Sequence, residues 1–147
     1  MITHSTGSTD FHGKSCSPYT MQWVFDTRAL AVGTAREITK NGGKSWFFIT
    51  DDYAFGHSLE AVASEVITKN GGKVVGSVRP PFASSDLSSF ILQAQSSKAQ
   101  VIGIAAGPPN NTNEIKLAGE FNVAQGGQKM AGLLFLITDV HALGLKA

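Results

Sequence analysis

The stretch ITKNGGKSWFFIT, residues 38–50, holds the helix end and the strand that decide the fold. Its opening, ITKNGGK, returns unchanged at residues 67–73, where an apolar run again follows. A Gly just past a helix takes the left-handed conformation that closes the last turn, and Lys suits the negative end of the helix dipole. Each copy therefore predicts a helix that ends in Asn-Gly-Gly and leads directly into a strand.

Four apolar runs spaced like successive strands extend this pattern along the chain. They cover residues 45–50, 73–78, 100–105 and 131–138, and their starts are about 27 to 31 residues apart. None alternates cleanly between apolar and polar residues, which is typical of strands that helices cover on both faces. These four runs are therefore predicted to be the strands of a buried parallel sheet.

Apolar residues between the strands recur at helical spacing. The clearest stripe marks one helix face and comprises Leu59, Val62, Ala63, Val66 and Ile67. Polar side chains that are placed to cap the first turns of other helices are Asp26, Asp86, Asn111 and Asn113. This alternation of strands and helices, with right-handed crossovers, predicts an α/β fold with a doubly wound parallel sheet.

The loops at the carboxyl ends of the strands are where ligands bind in sheets of this type. Tyr53 and Phe55 lie in the first of these loops, where an aromatic ring can cover an apolar ligand. The alternative for Phe55 is that its ring folds back onto the core. The four loops are residues 50–56, 78–86, 105–113 and 138–141.

Composition excludes several classes of function. Twelve basic and eleven acidic side chains over 147 residues leave a net charge of +1, so no field attracts nucleic acid or an anionic membrane. No run approaches the roughly 20 apolar residues of a membrane span, and the polar N-terminus does not read as an export signal. Cys16 is the sole cysteine, so neither an internal disulfide nor a Cys-based zinc site is expected.

Carboxylates near the strand ends leave an alternative function open. Asp51, Asp52 and Asp139 could together hold Mg²⁺ or accept a phosphoryl group in a small α/β enzyme. The competing interpretation is that Asp51 or Asp52 caps the next helix and the others are solvated. His57 and His141 have no defined spacing, and the glycine-rich nucleotide motifs and the serine-hydrolase elbow are missing. These observations favour recognition of a ligand, with no catalytic residue, metal or cofactor.

Three further stretches carry a family resemblance. Residues 46–56 read WFFITDDYAFG, residues 16–27 read CSPYTMQWVFDT, and residues 69–103 read KNGGKVVGSVRPPFASSDLSSFILQAQSSKAQVIG. In this order they resemble the second lobe of type I periplasmic binding proteins, specifically the branched-chain amino-acid (Leu/Ile/Val-type) receptors of ABC transporters. The resemblance implies two Rossmann-like lobes that close on a ligand like a hinge. Residues 1–25 then correspond to the end of the first lobe and the hinge crossover, and residues 26–147 to an incomplete second lobe.

The same resemblance implies binding roles for individual residues. The family holds the α-carboxylate of an amino acid with hydroxyl groups and backbone amides, and the second lobe adds an aromatic ring and an acid for the ammonium group. The Pro-Pro-Asn-Asn turn departs from the loop of relatives, so aromatic acids, amides and other small carboxylates are equally compatible ligands. The implied residues are Ser5, Thr6, Gly7 and Ser8 for the carboxylate, Tyr53 for the aromatic contact, Gly107, Pro108 and Asn110 for the pocket wall, and Asp139 for the ammonium group.

Partners and location follow from the resemblance as well. It implies a small-molecule ligand, a transporter permease as partner of the full-length protein, and a periplasmic location. With most of the first lobe absent, an exposed sheet edge is expected to drive self-association into a dimer or higher oligomer. A ligand-sensing regulatory domain on the same fold is the second hypothesis, which a DNA-binding head or a membrane span elsewhere in the gene would favour.

Overall fold

The computed structural model describes residues 2–3 and 7–144 as alternating strands and helices. The strands are β1 Ile2–Thr3, β2 Met21–Gln22, β3 Ser45–Thr50, β4 Lys73–Val78, β5 Val101–Ala105 and β6 Lys129–Gly132. The α-helices are α1 Thr27–Lys40, α2 Ala54–Lys69, α3 Ser88–Ser96, α4 Asn110–Glu120 and α5 Ile137–Leu143. Within the two described ranges, no helix is both long enough and apolar enough to cross a membrane.

The main sheet has four parallel strands in the order β4-β3-β5-β6. Trp46 of β3 is in register with Val74 of β4 on one side and Val101 of β5 on the other. The short strands β1 and β2 pair with each other in a separate parallel ribbon. The predicted parallel α/β sheet is confirmed, and β3 and β4 have the predicted bounds.

Helices cover both faces of the main sheet. On one face, Trp46 and Phe48 pack with buried side chains of α1 and α2 such as Ala35 and Leu59. On the other face, Ile49 packs with residues of α3 and α4. Since a strand points successive side chains to opposite faces, β3 contributes to two cores at once. Both faces of β3 are buried, which explains why its sequence does not alternate between apolar and polar residues.

The repeated Asn-Gly-Gly segments end α1 and α2 in the same way. Gly42 and Gly71 have φ angles of +100° and +76°, the left-handed conformation that the repeat predicts. The second Gly of each pair serves close packing instead. A Cβ on Gly43 would lie 2.7 Å from Ile38 Cγ2, and one on Gly72 would lie 2.7 Å from Ile67 Cγ2. The repeat therefore encodes both the turn and the close approach of helix and strand.

The prediction of a strand over residues 131–138 is wrong. Strand β6 ends at Gly132, and α5 begins at Ile137, so the expected loop at residues 138–141 lies inside a helix. The Asp139 carboxylate accepts the Leu136 N–H at 2.8 Å, which satisfies a free amide at the start of α5. Periodicity alone does not separate a short buried strand from the first turn of a helix. Here the hydrogen bond from Leu136 to Asp139 favours the helix.

Two of the four predicted helix caps lie inside a helix. Asp26 accepts the Ala29 N–H at 2.7 Å and caps α1 as predicted. Asp86 accepts the Ser88 N–H at 2.9 Å from just before α3. Asn111 and Asn113, however, are in the first turn and a half of α4, because that helix already begins at Asn110. Their predicted capping role is therefore wrong.

Candidate functional site

A cavity of about 480 Å³ opens at the carboxyl ends of β3 and β5. This volume is in the range that small-molecule sites occupy. The loops after these strands form one side, and the segment that precedes α1 forms the other. Its lining consists of Gly7, Ser8, Asp10, Phe25, Tyr53, Ala54, Phe55, Ser58, Phe82, Gly107, Pro108 and Leu134.

Aromatic rings dominate the cavity wall. The Tyr53 ring lies 5.0 Å from the Phe82 ring and 6.0 Å from the Phe55 ring, measured between centroids. Phe82 follows β4 and is 52% exposed, while Phe25 enters from the segment before α1. Tyr53 and Phe55 were predicted to lie here, but Phe82 and Phe25 were not. The signal for Phe82 was its place in the loop of residues 78–86.

Phe55 lies between the cavity and the core. It lies in the first turn of α2 rather than in the preceding loop, because that helix begins at Ala54. Its ring lines the cavity and also packs against the core beneath α1 and α2. A Cβ on Gly7 would lie 2.7 Å from Phe55 Cε2, so a larger residue there would displace the ring.

The N-terminal segment is fastened to the main body beside the cavity. Gly7 is buried, and its carbonyl accepts the Thr27 N–H at 2.6 Å. Ser8 Oγ accepts the Asp10 N–H at 3.2 Å. Both Gly7 and Ser8 line the cavity, and their role in holding a carboxylate stays a prediction. The other two residues assigned to that loop, Ser5 and Thr6, lie outside the described residues.

A buried carboxylate holds the turn that forms the opposite wall. Asp51 is fully buried and accepts the Gly107 N–H at 3.1 Å through Oδ2. Its Oδ1 accepts a hydrogen bond from Asn110 Nδ2, which also donates to the Pro81 carbonyl at 3.2 Å. Gly107 and Pro108 line the cavity, whereas the buried Asn110 supports them from behind. Asp51 therefore supports this turn and does not cap α2.

Burial raises the pKa of two groups at this wall. It raises the pKa of Asp51, although hydrogen bonds from Asn110 and Gly107 act in the opposite direction. Burial, followed by the charge of Asp51, also raises the pKa of Tyr53. The Tyr53 hydroxyl therefore keeps its proton at neutral pH and remains a hydrogen-bond donor. A Cβ on Gly107 would lie 3.2 Å from that hydroxyl oxygen, so the two groups are neighbours.

The Asp139 carboxylate makes hydrogen bonds within α5 and to α4. It is buried in α5 and, besides the Leu136 N–H, accepts a hydrogen bond from Asn111 Nδ2 at 3.2 Å. It does not belong to the cavity lining. His141, in the same helix, is exposed. The resemblance implied that Asp139 binds the ammonium group of the ligand. In this structure its carboxylate instead makes contacts that stabilise α5 and α4.

The acidic residues of the enzyme alternative do not meet. Asp52 is exposed and pairs with His57 at 2.9 Å, whereas Asp51 is buried with its own partners. In the part of the chain that the structure describes, no three His, Cys, Asp or Glu side chains are grouped as metal ligands. The described geometry therefore gives no support to a magnesium or phosphoacceptor site built on Asp51, Asp52 and Asp139.

Glu114 is a buried acid that the sequence reasoning missed. It lies in α4, is fully buried, and neither of its carboxyl oxygens has a hydrogen-bond partner. Burial raises its pKa well above the ordinary value, and the charge of Asp51 raises it further. The one available signal was its position four residues after Asn110, on the same helix face.

The sequence profile of the periplasmic binding proteins matches residues 2–147. The chain belongs to this family. The resemblance that residues 46–56 and their neighbours carry is thereby confirmed. A periplasmic binding protein from Burkholderia mallei is 50% identical and superimposes with a TM-score of 0.94 over 98% of this chain and 38% of its own.

Two further members of the family are similar over most of the chain. A branched-chain amino acid ABC transporter periplasmic ligand-binding protein from Burkholderia xenovorans LB400 is 32% identical, with a TM-score of 0.87 over 98% of this chain and 38% of its own. The Leu/Ile/Val-binding protein homolog 6 of Brucella suis is 28% identical over 134 residues, which are 89% of this chain and 34% of that protein. The chain thus spans little more than a third of the length of the family members that it matches.

Proposed function

We propose that this periplasmic binding protein chain is the second-lobe part of an extracytoplasmic solute receptor that binds a small carboxylate without chemistry. The observation that carries the proposal is the aromatic cavity at the carboxyl ends of β3 and β5. An apolar wall with a few polar groups is typical of small-molecule sites. In this proposal, residues 1–25 belong to the end of the first lobe and the crossover, and residues 26–147 to the second lobe.

The polar groups of the lining suit an amino acid or a related small carboxylate. Ser8, Ser58 and Tyr53 offer hydroxyl groups that can donate to a carboxylate, and Asp10 offers an acid for a cationic group. None of the described lining residues is Lys or Arg, and we propose that a ligand carboxylate is held by hydroxyl groups and amides, as for Ser5 to Ser8. The rings of Tyr53 and Phe82 favour ligands with an aromatic or branched apolar part.

The setting proposed for this site is that of a transport receptor. The relative from Burkholderia xenovorans is described as part of an ABC transporter, and we propose the same partnership with a permease for the full-length protein. The proposed location is the periplasm. Binding is proposed to involve no covalent step, because the buried carboxylates of Asp51 and Asp139 are both engaged by amide groups.

A thermal-shift screen tests binding directly. Amino acids with branched, aromatic and small side chains, and free aromatic and aliphatic carboxylates, are each added to the chain, with Mg²⁺ as a separate addition. A ligand at about 100 times its dissociation constant adds about 2.7 kcal/mol to the free energy of unfolding, which raises the melting temperature measurably. A cooperative transition that no compound shifts would reject ligand binding by this chain, and a shift with Mg²⁺ alone would favour the enzyme alternative.

A pair of variants links any bound ligand to the cavity. Phe82→Ala removes an exposed ring from the wall, and we expect it to weaken the affinity by about tenfold or more. Leu92→Ala is the matched control, because Leu92 is similarly exposed but lies on α3, away from the cavity. Calorimetric titration of both variants measures the difference. Equal affinities would place the ligand elsewhere.

A further inference from the structure

Three buried oxygen atoms on α4, behind the cavity wall, have no hydrogen-bond partner among the described residues. They are Asn110 Oδ1 and the two carboxyl oxygens of Glu114. Buried polar groups are nearly always paired, because leaving one unsatisfied costs the full price of its desolvation. A group of orphaned acceptors in one place therefore indicates that a hydrogen atom or a cation belongs among them.

Asn110 and Glu114 lie next to each other beside Asp51. Asn110 donates to the Asp51 carboxylate. Glu114 follows Asn110 by four residues on α4, so the two side chains share one helix face. That face is the one turned toward Asp51, whose charge acts on Glu114.

The side-chain oxygen of Asn110 lacks a hydrogen-bond donor. Asn110 Nδ2 donates its two hydrogens to Asp51 and to the Pro81 carbonyl. Asn110 Oδ1 can only accept, and no described residue donates to it. An ionised Glu114 can only accept hydrogen bonds, whereas a neutral carboxylic acid carries one O–H. We propose that Glu114 is a neutral acid whose O–H is donated to Asn110 Oδ1, and that it thereby positions Asn110, Asp51 and the Gly107–Pro108 turn.

Among the described residues, no cation pairs with Glu114 to stabilise its ionised form. The elements packed against α4 are α3, β5 and α5, and neither α3 nor β5 contains a titratable residue. Helix α5 contributes Asp139 and His141, and α4 itself adds Lys116 and Glu120, but among all these groups and Asp51 only Asp51 acts on the charge of Glu114. None of the ion pairs in the described residues includes Glu114 or Asp51.

Infrared difference spectroscopy decides the protonation state without any ligand. The spectrum of the chain minus that of Glu114→Gln at pH 7 should contain the C=O stretch of a protonated carboxylic acid. Glu65→Gln, at an exposed acid on α2, is the matched control and should remove carboxylate bands only. A carboxylate band from Glu114 at pH 7 would overturn the proposal. So would a melting temperature that Na⁺ or Ca²⁺ raises in the chain but not in Glu114→Gln.

The pH dependence of unfolding supplies a second readout. A raised pKa in the folded state means that the contribution of Glu114 is fully present below its unfolded value of 4.5 and is lost as pH rises through the folded value. The chain should therefore become easier to unfold with increasing pH above about 4.5. Glu114→Gln keeps a donor but no titration, so its slope should be smaller, and the raised pKa of Asp51 accounts for a remaining slope of the same sign. An unchanged slope in Glu114→Gln would contradict the proposal.

The positioning role of Glu114 rests on the proposed function of the cavity. For a ligand found in the screen, Glu114→Gln should retain the affinity, because its amide can still donate to Asn110 Oδ1. Glu114→Ala should weaken it at least about fivefold, since Asn110 is then left unsatisfied behind the wall. Equal affinities for Glu114→Ala and the chain would reject the positioning role. Absence of any ligand, with Glu114 protonated in the infrared experiment, would reject only the proposed function.

Discussion

Trp46 ties the end of α1 to the strand that follows it. Its side chain is fully buried, and Nε1 donates to Thr39 Oγ1 at 3.1 Å and to the Gly43 carbonyl at 2.8 Å. Its ring lies 5.9 Å from the Phe48 ring in a stacked arrangement. One side chain thus fills the core and also satisfies the polar groups of the turn, which makes the fold sensitive to its replacement.

The two tryptophans provide a matched pair for testing that sensitivity. Trp46→Phe should lower the free energy of unfolding by about 2–4 kcal/mol, because it removes both hydrogen bonds and leaves a cavity. Trp23→Phe should change it by less than about 0.5 kcal/mol, since Trp23 is 76% exposed. Urea unfolding followed by circular dichroism measures both. Similar losses for the two variants would show that the Trp46 contacts contribute little.

At the residue scale, the sequence predicts site positions better than site roles. Tyr53 and Gly107 could be placed at the cavity because both directly follow strands, and strand ends meet at one edge of a parallel sheet. Asp51 has the same sequence position, yet it faces inward and becomes fully buried. The burial of Glu114 depends on which face of α4 packs against the sheet. Asn111 and Asp139 pair across two helices, which is a contact that one-dimensional spacing does not contain.

At the scale of elements, α1 and α2 end alike but begin differently. Helix α1 starts behind the Asp26 cap, whereas α2 starts beside the cavity without a side-chain cap. Gly56, in the first turn of α2, lies so close to the end of β3 that a Cβ would be 2.3 Å from the Asp51 carbonyl oxygen. Gly33, in the middle of α1, has open space around it. The two helical glycines therefore serve different purposes.

Replacing each of these glycines by Ala should change stability in opposite directions. Gly56→Ala should cost about 1–3 kcal/mol or more, because neither backbone segment can move away. Gly33→Ala should add about 0.5–1 kcal/mol, since Ala favours the helix and meets no atom. Thermal unfolding of both variants measures the changes. A stabilising Gly56→Ala would mean that α2 can shift away from β3.

Element boundaries were predictable where a local signal marks them. Strands β3 and β4 start just after Asn-Gly-Gly turns, and their bounds agree with the prediction. Strand β5 starts at Val101, one residue late, because the Gln100 N–H is donated to Ser45 Oγ and not to a strand carbonyl. A Gly-Gly turn, with Gly127 at φ +85°, also precedes β6, but no local signal marks the end of that strand before Asp139, so the apolar run was assigned to one long strand.

At the scale of the whole molecule, the described main sheet has two open edges, formed by β4 and β6. Val75 on β4 and Leu92 on α3 are exposed beside one edge, and Tyr19 and Trp23 are exposed in the segment before α1. Open edges and exposed apolar side chains favour association with another chain. Self-association of this chain stays a prediction.

We expect the chain to form dimers or larger oligomers at micromolar concentration, and light scattering after size exclusion measures their mass. Val75→Lys places a charge beside the β4 edge and should lower the measured mass if that edge is the contact. Lys40→Gln, at the exposed end of α1, is a control for a general effect of charge. A monodisperse monomer for the unmodified chain would contradict self-association.

The strand order also determines when each pairing becomes possible during synthesis. Strand β3 lies between β4 and β5, and β4 directly follows it along the chain, whereas β5 comes later. A nascent chain can therefore pair β3 with β4 first, while the other edge of β3 stays open until β5 leaves the ribosome. The interval in which residues 79–105 leave the ribosome is when a chaperone or a neighbouring nascent copy has access to that edge.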